Sequence, residues 1–147
     1  MSLTSIFNIA GSGMNAQSVR LNTTASNIAN AETASSSIDQ VYRARHPIFA
    51  AVHQEALAGY QGQANNANPD ETVGVRVEGI VESNAPLQPR YMPNHPEANE
   101  EGYVYFPNVN IVEEMTNMIS AQRSFQMNVD IMNSAKQMTQ RVLTLGQ

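Results

Sequence analysis

Between Val109 and Leu145 the chain contains neither glycine nor proline. A breaker-free run of that length within 147 residues limits the possible folds more than any other feature. Apolar residues recur along it at Ile111, Met115, Met118, Phe125, Val129 and Met132, with Gln122 at the intervening position. Steps that alternate between three and four residues mark a helix with one apolar seam. The seam then shifts by one position, to Ile131, Ala135, Met138, Val142 and Leu145. Asn110 suits the N-cap and Glu113 follows three residues later, as in a capping box. Glu113 and Glu114 also suit the positive end of a helix dipole, and Gly146 suits its stop. The spacing predicts a helix over residues 111–145, about 50 Å long at ~1.5 Å per residue. A domain of this size cannot cover such a helix by itself. It needs a second long helix, or neighbouring molecules, along its length.

The N-terminal residues 3–30 supply a candidate for that second helix. Leu3, Phe7, Ala10, Met14, Leu21 and Ile28 form a heptad seam, with Gln17 and Thr24 in the intervening places. No proline interrupts it. Gly11 and Gly13 each lower helix propensity by about 1 kcal/mol relative to Ala, so the segment is a poor helix alone and forms when a partner covers its seam. The Gly11-Ser12-Gly13 run lies inside this helical pattern and carries no lysine, so it is not a phosphate loop. Glycine there allows a neighbouring backbone to approach closely.

The middle of the chain, residues 31–109, has a different texture and holds all seven prolines. Residues 41–52 and 73–81 are β-like; in the second, Val73, Val75 and Val77 alternate with Gly74, Arg76 and Glu78. Tyr103 to Phe106 is a third short strand candidate. Loops are expected over residues 34–40, 59–72 and 82–102. This composition predicts a small β element with extended arms rather than a large sheet.

Few chemistries fit this chain. The charged fraction is 14%, against roughly 25% in ordinary domains, and a charge-poor surface leans towards association. The net charge is −5, and Arg20, Arg43, Arg45, Arg76, Arg90, Arg123, Lys136 and Arg141 are scattered, so no face suits nucleic acid. Cysteine is absent, which excludes disulfides and thiolate metal sites. No apolar run reaches the roughly 18–20 residues of a membrane span. The first residues lack a basic stretch followed by an apolar core, so no cleavable secretory signal is expected. His46, His53 and His95 read as strand and turn histidines rather than a metal site. Glu97, Glu100 and Glu101 have no calcium-loop glycine pattern and read as a solvated turn. Asn22-Thr23-Thr24 matches a glycosylation sequon but falls mid-helix. No serine sits in a nucleophile elbow. No cofactor, metal or small-molecule substrate is expected, and no enzymatic activity. The methionines Met115, Met118, Met127, Met132 and Met138 suit a seam that packs adaptably. Ile119 and Ile131 lie off the first seam, which points to a second contact face.

The segment Ser5–Thr33, closing on Asn27-Ile28-Ala29-Asn30, resembles the N-terminal signature of the flagellar axial proteins, the rod and hook family. Tyr91–Asn110 resembles the segment that precedes the last helix in proximal-rod members. Val112-Glu113-Glu114-Met115, Met118–Gln126 and Leu143–Gln147 agree with them in order and spacing. The resemblance covers both ends and part of the middle. Two departures stand out. The usual Thr-Pro-Gly-Tyr turn is replaced by Thr33–Asp39, and Gln54 to Thr72 has the character of an extra loop.

The resemblance implies a mainly α fold, with long terminal helices packed as a coiled-coil-like pair around a small β-containing middle. It implies a division into residues 1–33 and 110–147 as an inner-tube core and 34–109 as a middle segment outside it. It implies a rod subunit that transmits torque, lines the export channel and leaves the cell by type III export without a cleaved signal. Implied partners are copies of itself, other rod proteins, the basal-body adaptor protein FliE and the export apparatus. An exported helical protein of another kind is the alternative. The residues expected to form assembly contacts are Leu3, Phe7, Met14, Leu21, Asn27, Ile28 and Asn30 on the first helix. On the last they are Met115, Met118, Ile119, Phe125, Val129, Met132, Val142 and Leu145.

Overall fold

A computed structural model describes residues 3–53 and 72–145. The side chains of Leu3 and Leu145, both expected contact residues, lie outside what it describes, as do residues 54–71 of the expected extra loop. In chain order the elements are α1 (Leu3–Asn30), β1 (Arg45–His53), β2 (Thr72–Glu82), β3 (Gln88–Tyr91), β4 (Tyr103–Phe106) and α2 (Ile111–Leu145). Two long terminal helices and a small β-containing middle are thus what the chain forms. The N-cap of α2 is Asn110, whose Oδ1 accepts the Val112 N–H at 3.1 Å.

Two strand expectations need correction. β1 begins at Arg45, not at residue 41, because Val41 and Ala44 are buried in packing rather than laid out along a strand. β3 lies inside the stretch expected to be a loop. Its proline hid it, and the pairing shows why proline is tolerated. β3 and β4 are antiparallel, with Gln88 opposite Phe106, Pro89 opposite Tyr105, Arg90 opposite Val104 and Tyr91 opposite Tyr103. The backbone of Tyr105 exchanges hydrogen bonds with Ser35 on its other side, at 3.1 and 2.9 Å. Pro89 therefore occupies a non-hydrogen-bonded pair, where a missing N–H costs the ladder nothing.

The chain divides into two compact units. The first comprises Met1–Val19, Ile48–Gly79 and Ala121–Gln147. Here α1 and α2 meet where Gly13 faces Asn128 and Gly11 faces Met132. The numbers rise on one helix as they fall on the other only if the pair is antiparallel. A Cβ added at Gly13 would lie 3.0 Å from Asn128 Nδ2, so the glycines of α1 serve close packing, as their place in the sequence suggested. β2 also sits on α1. The Ser12 hydroxyl donates to Ile9 C=O at 2.8 Å and accepts the Val75 N–H at 3.1 Å. Gly74 passes directly over it, buried and with φ at +147°.

The second unit comprises Arg20–Pro47 and Ile80–Ser120. Its core is Ala31, Ala44 and Val109, with Tyr42 packed against them. Val104 and Pro107 are fully buried. Arg20 donates to Asn117 Oδ1 at 3.3 Å, joining α1 to α2. Tyr91 and Tyr103 meet edge-on at 5.4 Å, and Arg90 lies 4.6 Å over the Phe106 ring. Both contacts brace the β3–β4 pair.

The buried positions coincide with the expected seams only in part, at Ala10 and Thr24 on α1 and at Ala135 on α2. On α2 the buried residues are Glu114, Ala121 and Ala135, a heptad row with half-buried Asn128 between the last two. On α1 they are Ala10, Ala16, Thr23, Thr24 and Asn27. Small and polar side chains let the backbones come close, and little room is left for Met or Ile between them. The large apolar residues consequently flank that face or turn away from it.

Candidate assembly interface

The side chains expected to make assembly contacts fall into three groups. Met115, Ile119 and Val142 are exposed, Ile119 by 53% and Val142 by 63%. Phe7, Met14, Leu21, Ile28, Asn30, Met118, Phe125, Val129 and Met132 are half-buried. Asn27 is 0% exposed and so cannot touch a neighbour. In the single chain its hydrogen bonds are all internal.

The exposed group is larger than the sequence reading foresaw. Ile111, Val112, Met127, Ile131, Met138 and Leu143 also show large apolar surface on α2. Scattered single apolar residues on a surface are ordinary, but contiguous rows of them mark contact with other proteins. Ile111, Met115 and Ile119 fall four apart along the start of α2, with Val112 three before Met115, which is one such row. In the first unit, Ile131 with Ile6, Ile9, Ala10 and Asn128 walls an apolar notch of about 200 Å³.

The internal group has a different chemistry. Asn27 Nδ2 donates to Arg45 C=O at 2.8 Å, while its Oδ1 accepts the Arg45 N–H at 2.9 Å and the Tyr42 hydroxyl at 2.8 Å. Asn108 repeats the arrangement one residue earlier. Its Oδ1 accepts the Ala44 N–H at 2.8 Å, and its Nδ2 donates to Ala85 C=O at 2.8 Å and Ser83 C=O at 3.2 Å. The Ser83 N–H in turn donates to Ala44 C=O at 2.7 Å, and Arg45 pairs with Glu82 at 2.9 Å. The start of β1 and the end of β2 are thereby joined, which makes the two strands antiparallel. Burial raises the pKa of the Tyr42 hydroxyl; Arg45 opposes the shift, and Glu114 and Glu82 add to it. The phenol therefore stays protonated and able to donate to Asn27.

Sequence reasoning placed Asn27 in a motif without foreseeing its internal hydrogen bonds, it read Glu114 at the helix dipole without foreseeing its burial, and it missed Tyr42 and Asn108 as structural residues. Asn108 sits between Pro107 and Val109, both buried. A polar residue enclosed by buried neighbours was the available signal. Glu114 is buried to 4% exposure in the first turn of α2, where the helix dipole offsets part of the cost of enclosing a carboxylate. His95 is a turn histidine, as expected, its Nδ1 accepting the Glu97 N–H at 3.1 Å. Among the described residues no cluster of three His, Asp or Glu could hold a metal, and no helix is long and apolar enough to cross a membrane.

A pair of long terminal helices with large apolar side chains left exposed suits a class: structural subunits that pack against neighbours. The comparisons specify which. Residues 7–34 match the family model "Flagella basal body rod protein", and residues 100–145 match "Flagellar basal body rod FlgEFG protein C-terminal". Over its whole length and theirs, the chain is 44% identical to the flagellar basal-body rod protein FlgC of Escherichia coli O6:H1 and 43% identical to that of Salmonella typhimurium. It is 36% identical to FlgC of Borreliella burgdorferi, covering 100% of this chain and 99% of the relative. The chain belongs to the FlgC family of flagellar basal-body rod proteins. It is a structural subunit of the rod, not an enzyme, and it assembles with other components of the rod and basal body.

Proposed function

We propose that the chain works in the proximal rod, where it transmits torque from motor to hook and lines the channel through which later subunits are exported. The observation that carries this reading is the large apolar surface that α2 exposes in the single chain, at Ile111, Met115 and Ile119 near its start and at Met138 and Val142 near its end. Such a face costs solubility unless neighbours cover it. Residues 1–33 and 110–147 form the inner-tube core, and residues 34–109 pack outside it. The contacts fall on Phe7, Met14, Leu21, Ile28, Asn30, Met115, Met118, Ile119, Phe125, Val129, Met132 and Val142, together with Leu3 and Leu145. The neighbours are copies of the same chain, other proximal and distal rod proteins, and the adaptor FliE.

The rod crosses the periplasm, so the chain leaves the cytoplasm through the flagellar type III apparatus, without a cleaved signal peptide. The test is extraction of basal bodies with detergent from cells making a tagged chain, followed by crosslinking. The chain should remain with the basal body and crosslink to itself and to FliE. Recovery only in the medium, as for a secreted effector, would overturn the reading.

A further inference from the structure

Asn27 and Asn108 act on consecutive residues of the same backbone. Asn27 holds both polar groups of Arg45, and Asn108 holds the Ala44 N–H while also reaching across to Ser83 and Ala85. One amide belongs to the last turn of α1, and the other lies three residues before α2. The segment they hold is the place where the β1–β2 ribbon leaves and rejoins the helices, between Ala44–Arg45 and Glu82–Ser83. We infer that these two side-chain amides are a clamp that fixes the root of the ribbon to the helical core, so that twisting force passes between them. The inference rests on the rod reading and assigns its mechanical coupling to two residues.

The chemistry suits the task. A primary amide presents a donor and an acceptor at fixed separation, so it can hold an N–H and a C=O together, which a carboxylate cannot. Asn27 uses Nδ2 once and Oδ1 twice, and Asn108 uses Oδ1 once and Nδ2 twice. Each therefore makes three hydrogen bonds, and all but the Tyr42 contact are to backbone. The Tyr42 hydroxyl donates to Asn27 Oδ1 and so fixes which way that amide points. Because the grip is on backbone, the side chains at 44, 45, 83 and 85 need not carry it. Asn27 is enclosed, so water cannot substitute for it. The clamp adds little buried apolar area. Its contribution is orientation, which sets it apart from core residues such as Val104.

The experiment compares Asn27→Asp and Asn108→Asp with Val104→Ala, each in cells lacking the native copy. Aspartate keeps size and acceptor capacity but sets an oxygen against the carbonyls of Arg45, or of Ser83 and Ala85. Both Asp variants should be recovered in detergent-extracted basal bodies at levels within about twofold of the parent. Cells carrying them should swim normally in thin medium and fall at least severalfold in speed when viscosity is raised. Val104→Ala, an ordinary core defect, should lower recovery and swimming together, with no added sensitivity to viscosity. Parent-like swimming of both Asp variants in viscous medium overturns the clamp, as does loss of recovery that tracks motility in the way of Val104→Ala. If the parent chain itself is missing from basal bodies, the rod reading fails and the mechanical role falls with it.

Discussion

At the residue scale, Gly74 is the position where the backbone tolerates least. A Cβ there would lie 2.4 Å from Ser12 Oγ, and its φ of +147° is one that L side chains rarely adopt. Ser12 cannot simply turn away, because its hydroxyl already bridges Ile9 C=O and Val75 N–H. Gly74→Ala should therefore cost on the order of 1–3 kcal/mol, the usual range for a strained backbone position. Recovery in basal bodies should fall severalfold, measured by immunoblot against a co-extracted ring protein. Gly79→Ala is the control, since nothing lies within 4 Å of the added carbon. Undiminished recovery of Gly74→Ala would show that β2 does not need its close seat on α1. The sequence marked Gly74 only as one beat of an alternating strand. Its partner is 62 positions away, and no local pattern encodes that distance.

At the scale of the element, α2 carries the argument. Its existence, its start and its N-cap were legible, because they depend on helix propensity, breakers and capping chemistry, all of which are local. Its orientation was not. Met115 and Met138 were placed on the seam yet are exposed, whereas the small residues Ala121, off the seam, and Ala135, on it, are buried. Periodicity counts large apolar residues and is blind to the close approach that Gly13 permits opposite Asn128. The outward rows then become the sites to test. Ile119→Asp and Val129→Asp should still allow export but abolish swimming, because a carboxylate enclosed in an apolar contact costs several kcal/mol. Ile119, half exposed in the single chain, should show the defect only after assembly. The measurements are swarm diameter in soft agar and the amount of chain in the export fraction. A normal swarm for Ile119→Asp would remove that residue from the interface.

At the scale of the whole molecule, the polar and small-residue seam between α1 and α2 leaves much apolar surface outside. Helical stability in proteins comes mostly from tertiary packing of an apolar face. Here much of that face is outward, so the full gain arrives with the neighbours. The isolated chain at low concentration should accordingly show far less helix by circular dichroism than α1 and α2 together would give. Helix content should rise on incorporation. A stable, fully helical monomer at micromolar concentration would contradict this account. The balance of helix to strand was legible in the sequence because breakers and prolines segregate so cleanly along it. The clamp at Ala44 and Arg45 was not, since Asn27, Tyr42 and Asn108 come from three distant stretches.

A molecule made to associate through helices must avoid associating through strands. The Tyr105 backbone is bonded to Ser35, which closes one side of β4, and β3 closes the other. The outer side of β3 is open, and there one of the backbone nitrogens that would face an incoming strand belongs to Pro89, which has no N–H to give. Proline on an open edge is a recognised guard against amyloid-like pairing. At that position a second chain would find no donor, so the edge offers it a ladder with a hydrogen bond missing.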